Sequence, residues 1–148
     1  MNRSQFVLLA LMFISLPCIS QITGVWTSVD DVSGKPRSVI EISERSGRFF
    51  GKVIRIYSKP TENPNPECNK CAADDPRFNQ KVIGMEILKD MIKEGRELTG
   101  GNILDPENGK VYRCKVWLEG KVLKVRGYWG PFFRTQTWCP RDGSSLEK

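Results

Sequence analysis

The chain has 148 residues, a formal net charge of +6 and no histidine. This length fits one domain, and the absence of histidine removes the commonest general base, the commonest metal ligand and the usual activator of serine or cysteine nucleophiles. Because basic residues mix with acidic ones along the chain, the positive excess predicts solvated strand faces and no nucleic-acid partner. We expect no metal and no cofactor.

Residues 1–20 are typical of a secretory signal peptide. A short positive start precedes an apolar run over 6–16, and small residues follow it. The run is too short for an ordinary transmembrane helix. We therefore predict cleavage after Ser20 and a periplasmic or secreted protein that does not span the membrane. A lipidated Cys18 is the alternative, although Pro17 does not fit that motif.

Alternation of apolar and polar residues predicts β-strands along most of the remaining chain. Tyr112, Cys114 and Val116 form an apolar face, whereas Arg113 and Lys115 point the other way, which is typical of a half-buried antiparallel strand. Turn sequences such as "DPENG" separate successive strands. The predicted strands cover residues 24–31, 37–45, 48–58, 82–91, 96–104, 110–119, 121–128 and 132–139.

Eight short strands with hairpin turns favour an all-β, up-and-down antiparallel barrel over residues 21–140, followed by a flexible tail over 141–148. Residues 59–81 are the exception. They contain four prolines and two cysteines but almost no apolar pattern, so we expect one long irregular loop there. The segment "MEILKDMIK" could form a helical turn, but the glycines that bracket it at strand length favour a strand.

Five segments in order along the chain, "GVWTSVDDVSGKPRSVIEI", "CNKC", "GGNILDPENGKVYRCKV", "LKVRGYWG" and "TQTW", resemble the bacterial exported family called domain of unknown function 2147. The resemblance covers about residues 24–139. It implies a lipocalin-like barrel in the cell envelope, without an established biochemical activity. Gly24-x-Trp26 is also similar to the lipocalin signature, in which the tryptophan packs at the closed end against an arginine. Arg126 or Arg134 would be that arginine here.

Four cysteines follow the predicted cleavage site, and three full pairings are possible. In an exported protein, Cys68-x-x-Cys71 predicts a local disulfide that pins the long loop. A redox pair is disfavoured, because Pro76 and two acids follow too closely for the helix that would lower a thiol pKa. Cys114 lies on an apolar face, so we expect a buried thiol. Pairing of Cys114 with Cys139 stays open.

Asp30 and Asp31 could suggest a catalytic carboxylate pair. Neighbours on a strand point to opposite faces, so the two side chains cannot easily share a proton. They are expected to close the first strand into its turn, with Asp30, on the Trp26 face, kept as a possible pocket residue. We predict no enzyme; a reaction that uses Asp30 or Asp105 with a lysine or tyrosine is the weakest hypothesis.

The first hypothesis is therefore a non-enzymatic barrel that binds a small, partly apolar or amphipathic molecule, with Arg126 or Arg134 as a polar anchor. The alternative is an interaction module with a filled barrel, whose 59–81 loop and aromatic segment 128–133 bind an envelope protein or glycan. A cavity in the barrel favours the first hypothesis and a packed interior the second. The residues predicted to line the pocket are Trp26, Asp30, Phe50, Ile54, Tyr112, Val116, Leu123, Val125 and Trp138.

Overall fold

The computed structural model describes residues 21–141, so the predicted signal peptide and residues 142–148 of the predicted tail lie outside the described residues. Eight strands form a closed antiparallel barrel in which every strand pairs with its sequence neighbours and the last strand closes on the first. The predicted all-β, up-and-down barrel is confirmed. Its strands are β1 (Gly24–Val29), β2 (Pro36–Arg45), β3 (Arg48–Ile56), β4 (Glu86–Glu94), β5 (Glu97–Asp105), β6 (Lys110–Glu119), β7 (Val122–Trp129) and β8 (Phe132–Pro140).

Tight hairpins join the strands at the end of the barrel where β1 begins. Gly47 has a φ of 75° and Gly120 a φ of 62°, a left-handed conformation that two-residue hairpin turns require and that glycine adopts without steric cost. The turns between β1 and β2, between β5 and β6 and between β7 and β8 lie at the opposite end, together with the long connection from β3 to β4.

The largest error in the predicted strand boundaries concerns β4, which was expected at 82–91 and begins only at Glu86. Val82 and Met85 are buried and apolar, so their hydrophobicity resembles that of a strand. In the structure they belong to a turn, in which the Met85 N–H donates to the Val82 carbonyl at 3.1 Å. The "MEILKDMIK" segment is mostly strand, as predicted.

The connection from β3 to β4 covers residues 57–85 and packs against the barrel. Its predicted disulfide between Cys68 and Cys71 is confirmed, and both residues are buried with the hydrophobic core. A Cβ added to Gly109, in the β5–β6 turn, would lie 1.8 Å from the carbonyl oxygen of Lys70. The connection and this turn therefore touch backbone to backbone, which only glycine permits.

An ion pair holds the middle of the connection against β4. Arg77 donates to both carboxylate oxygens of Asp75, at 2.9 and 2.7 Å, and its Nη1 donates to the carbonyl of Glu86 at 3.1 Å. This side-chain hydrogen bonding from Arg77 lowers the pKa of Asp75 from 3.8 to about 2. The connection is thus anchored to the barrel by charge as well as by apolar burial.

The half of the lumen nearer the start of β1 is packed with inward-pointing side chains. A Cβ added to Gly51 would lie 2.8 Å from Cβ of Leu88, and one added to Gly101 would lie 2.2 Å from the carbonyl oxygen of Lys89. These distances leave no room for even one methyl group. We call this region the filled half; its inward side chains are Trp26, Ile40, Ile42, Met91, Leu98, Cys114, Val116, Leu123, Val125 and Trp138, all buried.

Trp26 lies at this filled end, away from both predicted arginine partners. Its Nε1 donates to the carbonyl of Ile22 at 2.8 Å, and Ile22 packs against the core. Arg126 points out of the barrel, and Arg134 lies at the opposite end. The expected tryptophan–arginine contact is therefore wrong for both candidates, and a backbone carbonyl takes its place.

Candidate functional site

Aromatic side chains point inward at the open end of the barrel and are exposed there. Trp129 and Phe132 are directly opposite residues of β7 and β8, and their rings stack with centroids 6.3 Å apart. The ring centroid of Tyr112, on β6, lies 5.8 Å from that of Trp129. Trp129 is 47% exposed and Phe132 62% exposed, although large apolar groups are normally covered. We call Tyr112, Trp129, Phe132 and Arg134 the mouth cluster.

Arg134 supplies the positive charge of the mouth cluster. It lies opposite Gly127, where a Cβ would meet Tyr112 and Ile103 only at ordinary contact distances of 3.4 and 3.8 Å. The guanidinium donates through Nε and Nη2 to one oxygen, Oδ2, of Asp31, at 3.0 and 2.8 Å. The side chains of this pair are 54% and 33% exposed, so its net stabilisation is about 0–1 kcal/mol.

The β5–β6 turn fixes the tyrosine of the cluster. Asn108 donates through Nδ2 to the Tyr112 hydroxyl at 3.1 Å and to Oδ2 of Asp105 at 3.0 Å. Asp105 Oδ1 accepts the N–H of Glu107 at 2.9 Å. Glu107 also forms an ion pair with Arg37 at the start of β2. Because β2 and β5 are not neighbours in the barrel, this pair links separate parts of its open end.

Asp30 closes the β1–β2 turn instead of lining the lumen. Its Oδ1 accepts the backbone N–H groups of Val32 and Ser33, at 3.2 and 2.7 Å, and the Ser33 hydroxyl at 2.8 Å. The backbone hydrogen bond from Ser33 is the main cause that lowers the pKa of Asp30. Both candidate catalytic acids, Asp30 and Asp105, thus accept hydrogen bonds from their own turns.

Two predicted pocket residues lie on the outer face of the barrel. Phe50 lies outside, where the Arg45 guanidinium stacks 3.8 Å from its ring centroid, and Ile54 is exposed. Phe49 and Val53 point inward instead. Between Val39 and Ile40 the β2–β3 register shifts, which leaves Ile54 as an extra residue of β3. Alternation nevertheless holds from Phe49 to Ile54, so the prediction assigned the two faces of this strand the wrong way round.

Arg126, the other predicted polar anchor, is also on the outer face. Its guanidinium lies 5.0 Å from the Trp117 ring and 4.3 Å from the Phe133 ring, and its Nε donates to the Thr135 hydroxyl at 2.7 Å. Of the remaining predicted pocket residues, only Tyr112 and Arg134 lie at the open end. The others, Trp26, Val116, Leu123, Val125 and Trp138, belong to the filled half and are buried.

Sequence reasoning missed Trp129 and Phe132 as pocket residues, although it singled out the 128–133 segment. The available signal was the two-residue alternation of the strand. Trp129 follows the inward-pointing Val125 by two full periods of this alternation, so it also points inward. The presence of aromatic residues on both faces of the segment hid this signal.

Two grooves stand out on the described part of the chain, and neither opens into the lumen. One, of about 380 Å³, lies at the filled end beside Trp26 and Pro140. The other, of about 440 Å³, lies between the long connection and β4, beside Arg77 and Lys89. Across residues 21–141, no helix has the length and hydropathy that crossing a membrane would require.

Comparisons with known proteins agree with the barrel. The sequence profile of a bacterial family, described as "Uncharacterized protein conserved in bacteria (DUF2147)", matches residues 24–139. None of the curated proteins compared is similar to the chain. A solved structure, protein HP1028 from the human pathogen Helicobacter pylori, which is described as belonging to the lipocalin family, superposes with a TM-score of 0.67 at 22% identity, over 82% of this chain and 84% of that one. At this identity the likeness shows a lipocalin-like fold.

Proposed function

We propose the following function for this chain, which belongs to the bacterial family DUF2147: it is a non-enzymatic binding protein that holds a small, partly apolar molecule at the open end of its lipocalin-like barrel. The mouth cluster would form the binding surface. The single observation that carries this proposal is the exposure of Trp129 and Phe132, two large aromatic side chains that point inward and stay 47% and 62% exposed.

The packing of the lumen supports a shallow site in place of a deep one. A ligand cannot enter the filled half without displacing buried side chains such as Met91 and Leu98. At the open end, Gly127 adds no side chain and its Cβ position has room. Flat apolar molecules would stack on the Trp129 and Phe132 rings and remove apolar surface from water, which is favourable by about 25 cal/mol per Å².

Fluorescence titration with the neutral apolar dye N-phenyl-1-naphthylamine tests this proposal. We expect saturable binding that weakens about tenfold in Phe132→Ala, because truncation removes roughly half of the stacking surface. Phe133→Ala is the matched control: Phe133 is 55% exposed, but it lies on the outer face of the same strand beside Arg126. Equal losses in the two variants, or no saturable binding to the unsubstituted chain, would count against the mouth site.

A second candidate is an interaction module that binds an envelope protein or glycan. The packed interior of the filled half and the exposed outer ring of Phe133 favour it. It predicts the opposite pattern: Phe133→Ala would weaken capture of the partner, while Phe132→Ala would leave dye binding and capture unaffected.

We also propose that the protein is exported to the periplasm or beyond, with removal of residues 1–20. The composition of that segment supports this, as does the disulfide between Cys68 and Cys71, since disulfides persist in oxidising compartments. The mass of protein isolated from its own host tests it. A mature chain that begins at Gln21 is expected, and an intact N-terminal methionine would contradict it.

A further inference from the structure

We propose that the molecule held at the mouth is an anion: a carboxylate, sulfonate or phosphate joined to a planar apolar group. The rings of Trp129 and Phe132 would hold the planar part, and Arg134 would exchange its bond to Asp31 for one to the ligand's anionic group. This inference rests on the proposed function of the mouth cluster.

The position of Arg134 relative to the rings is the first argument. Phe132 and Arg134 are two residues apart on β8 and therefore project from the same face, about 7 Å apart along the strand. Gly127 opposes Arg134, and Trp129 opposes Phe132. The guanidinium thus borders the aromatic surface, with no side chain from β7 beside it. An anion joined directly to a planar ring system has the length to touch both.

The weakness of the existing ion pair is the second argument. Asp31 uses a single oxygen to accept from Nε and Nη2 of Arg134, whereas a guanidinium carries five N–H donors in a planar fork. The pair is exposed, so solvent and salt screen it. A ligand anion that accepts from the guanidinium through two oxygens would match the positions of its N–H donors better than the single Asp31 oxygen that it displaces.

The other charges around the mouth favour an anion over a cation. Asp30 and Asp105 accept hydrogen bonds from backbone groups of their own turns, and Glu107 pairs with Arg37. On the inner face, Arg134 lies two residues from Phe132, and Lys110, another positive charge, lies two residues from Tyr112. Displacement of Asp31 by an anion leaves that carboxylate at the surface, where water can solvate it.

A pair of dyes that share one scaffold tests the inference on the full mature chain. N-phenyl-1-naphthylamine is neutral, and 8-anilinonaphthalene-1-sulfonate adds a sulfonate to the same rings. We expect the sulfonate to bind about tenfold more tightly at low salt, as one charge-assisted contact provides. Arg134→Gln should make the affinities for the two dyes equal, and Asp31→Asn should increase the preference for the sulfonate several-fold. Arg113→Gln, on the outer face of β6, is the charge-matched control.

The outcomes separate this inference from the proposed function. Equal affinities for both dyes would overturn the anion preference and leave the mouth site standing. Failure of both dyes to bind would overturn both. A preference lost equally in Arg113→Gln and Arg134→Gln would reveal general attraction to a basic protein and overturn the role of Arg134. Tighter binding of a trimethylammonium analogue than of the sulfonate would likewise overturn the inference. Near-ultraviolet circular dichroism establishes that each variant is folded.

Discussion

The two halves of the barrel use the same strands and the same alternation, yet their inward side chains have different surroundings. In the filled half, Leu98 and Met91 are fully buried, whereas at the open end Trp129 and Phe132 point inward and stay exposed. The exposed rings of the open end therefore contribute less hydrophobic stabilisation than the buried side chains, because this stabilisation scales with the apolar area removed from water. The other half is free to carry recognition without changing the fold.

The inward-facing glycines of the two halves also have different surroundings. Gly101 lies where the backbones of β4 and β5 approach so closely that a Cβ would be 2.2 Å from the Lys89 carbonyl oxygen and 2.7 Å from the Met91 nitrogen. Gly127, at the open end, has only ordinary contacts around its Cβ position. One glycine is required by packing; the other leaves space beside Arg134.

The largest expected difference in stability is between variants that add a methyl group at one or the other of these two glycines. Gly101→Ala should reduce the free energy of unfolding by about 4 kcal/mol or more, or prevent folding, because backbone atoms cannot move aside cheaply. Gly127→Ala should change it by less than about 1 kcal/mol. Urea denaturation of both variants measures the difference, and similar costs at the two sites would remove the distinction between the halves.

Truncation of one inward side chain in each half gives the next largest difference. Leu98→Ala should cost about 3 kcal/mol, since it leaves a cavity among fully buried neighbours. Phe132→Ala should cost less than about 1 kcal/mol despite the larger side chain, because the ring is mostly exposed. Thermal and urea unfolding measure both. A costly Phe132→Ala would mean that the mouth ring is part of the core.

The anchor of the long connection should affect stability without affecting the mouth. The pKa of Asp75 falls from 3.8 to about 2 in the folded chain. Its contribution is thus fully present above about pH 4 and is lost as the pH falls through about 2. Asp75→Asn should cost about 1–2 kcal/mol at pH 7 and much less at pH 2, with dye binding unchanged. A cost independent of pH would contradict the ion pair's role.

The smallest expected effect is a difference in how readily a reagent in solution reaches the two free thiols. Cys114 and Cys139 are free thiols, but Cys114 points into the filled half, where burial raises its pKa to about 12. Cys139 is partly exposed on the last strand. Of these two thiols, iodoacetamide at pH 8 should therefore label Cys139 alone until the chain unfolds. Mass spectrometry counts the adducts, and equally rapid labelling of Cys114 would show that the lumen is accessible.

Much of the fold could be predicted from the sequence, because alternation and turn residues are local signals. β6 was predicted with its observed bounds, since its pattern is clean and "ENG" and "EG" border it. The register within β3 was not predictable. In "RFFGKVIRI" both parities contain apolar residues, so the pattern does not reveal which face points inward, and the bulge after Val53 depends on pairing with β2. Gly51 points inward without a side chain that could reveal its direction.

The candidate site was harder to predict, because side-chain direction alone does not determine exposure. Alternation from Val125 places Arg126 outside and Trp129 inside, and this information was present in the sequence. The lipocalin-like signature suggested Arg126 or Arg134, whereas the strand position of Arg126 indicated the outer face. That Trp129 stays exposed depends on how far the long connection extends over the open end, and its composition does not encode this.

The four tryptophans report directly on the central claim, because they occupy three different environments. Trp129 lies at the mouth, Trp26 and Trp138 are buried in the filled half, and Trp117 stacks with Arg126 on the outer face. Their indole N–H signals can be followed by ¹H–¹⁵N NMR while N-phenyl-1-naphthylamine is added. We predict that the Trp129 signal shifts saturably and that the other three stay in place. A shift led by Trp26 and Trp138, or by Trp117, would contradict binding at the mouth.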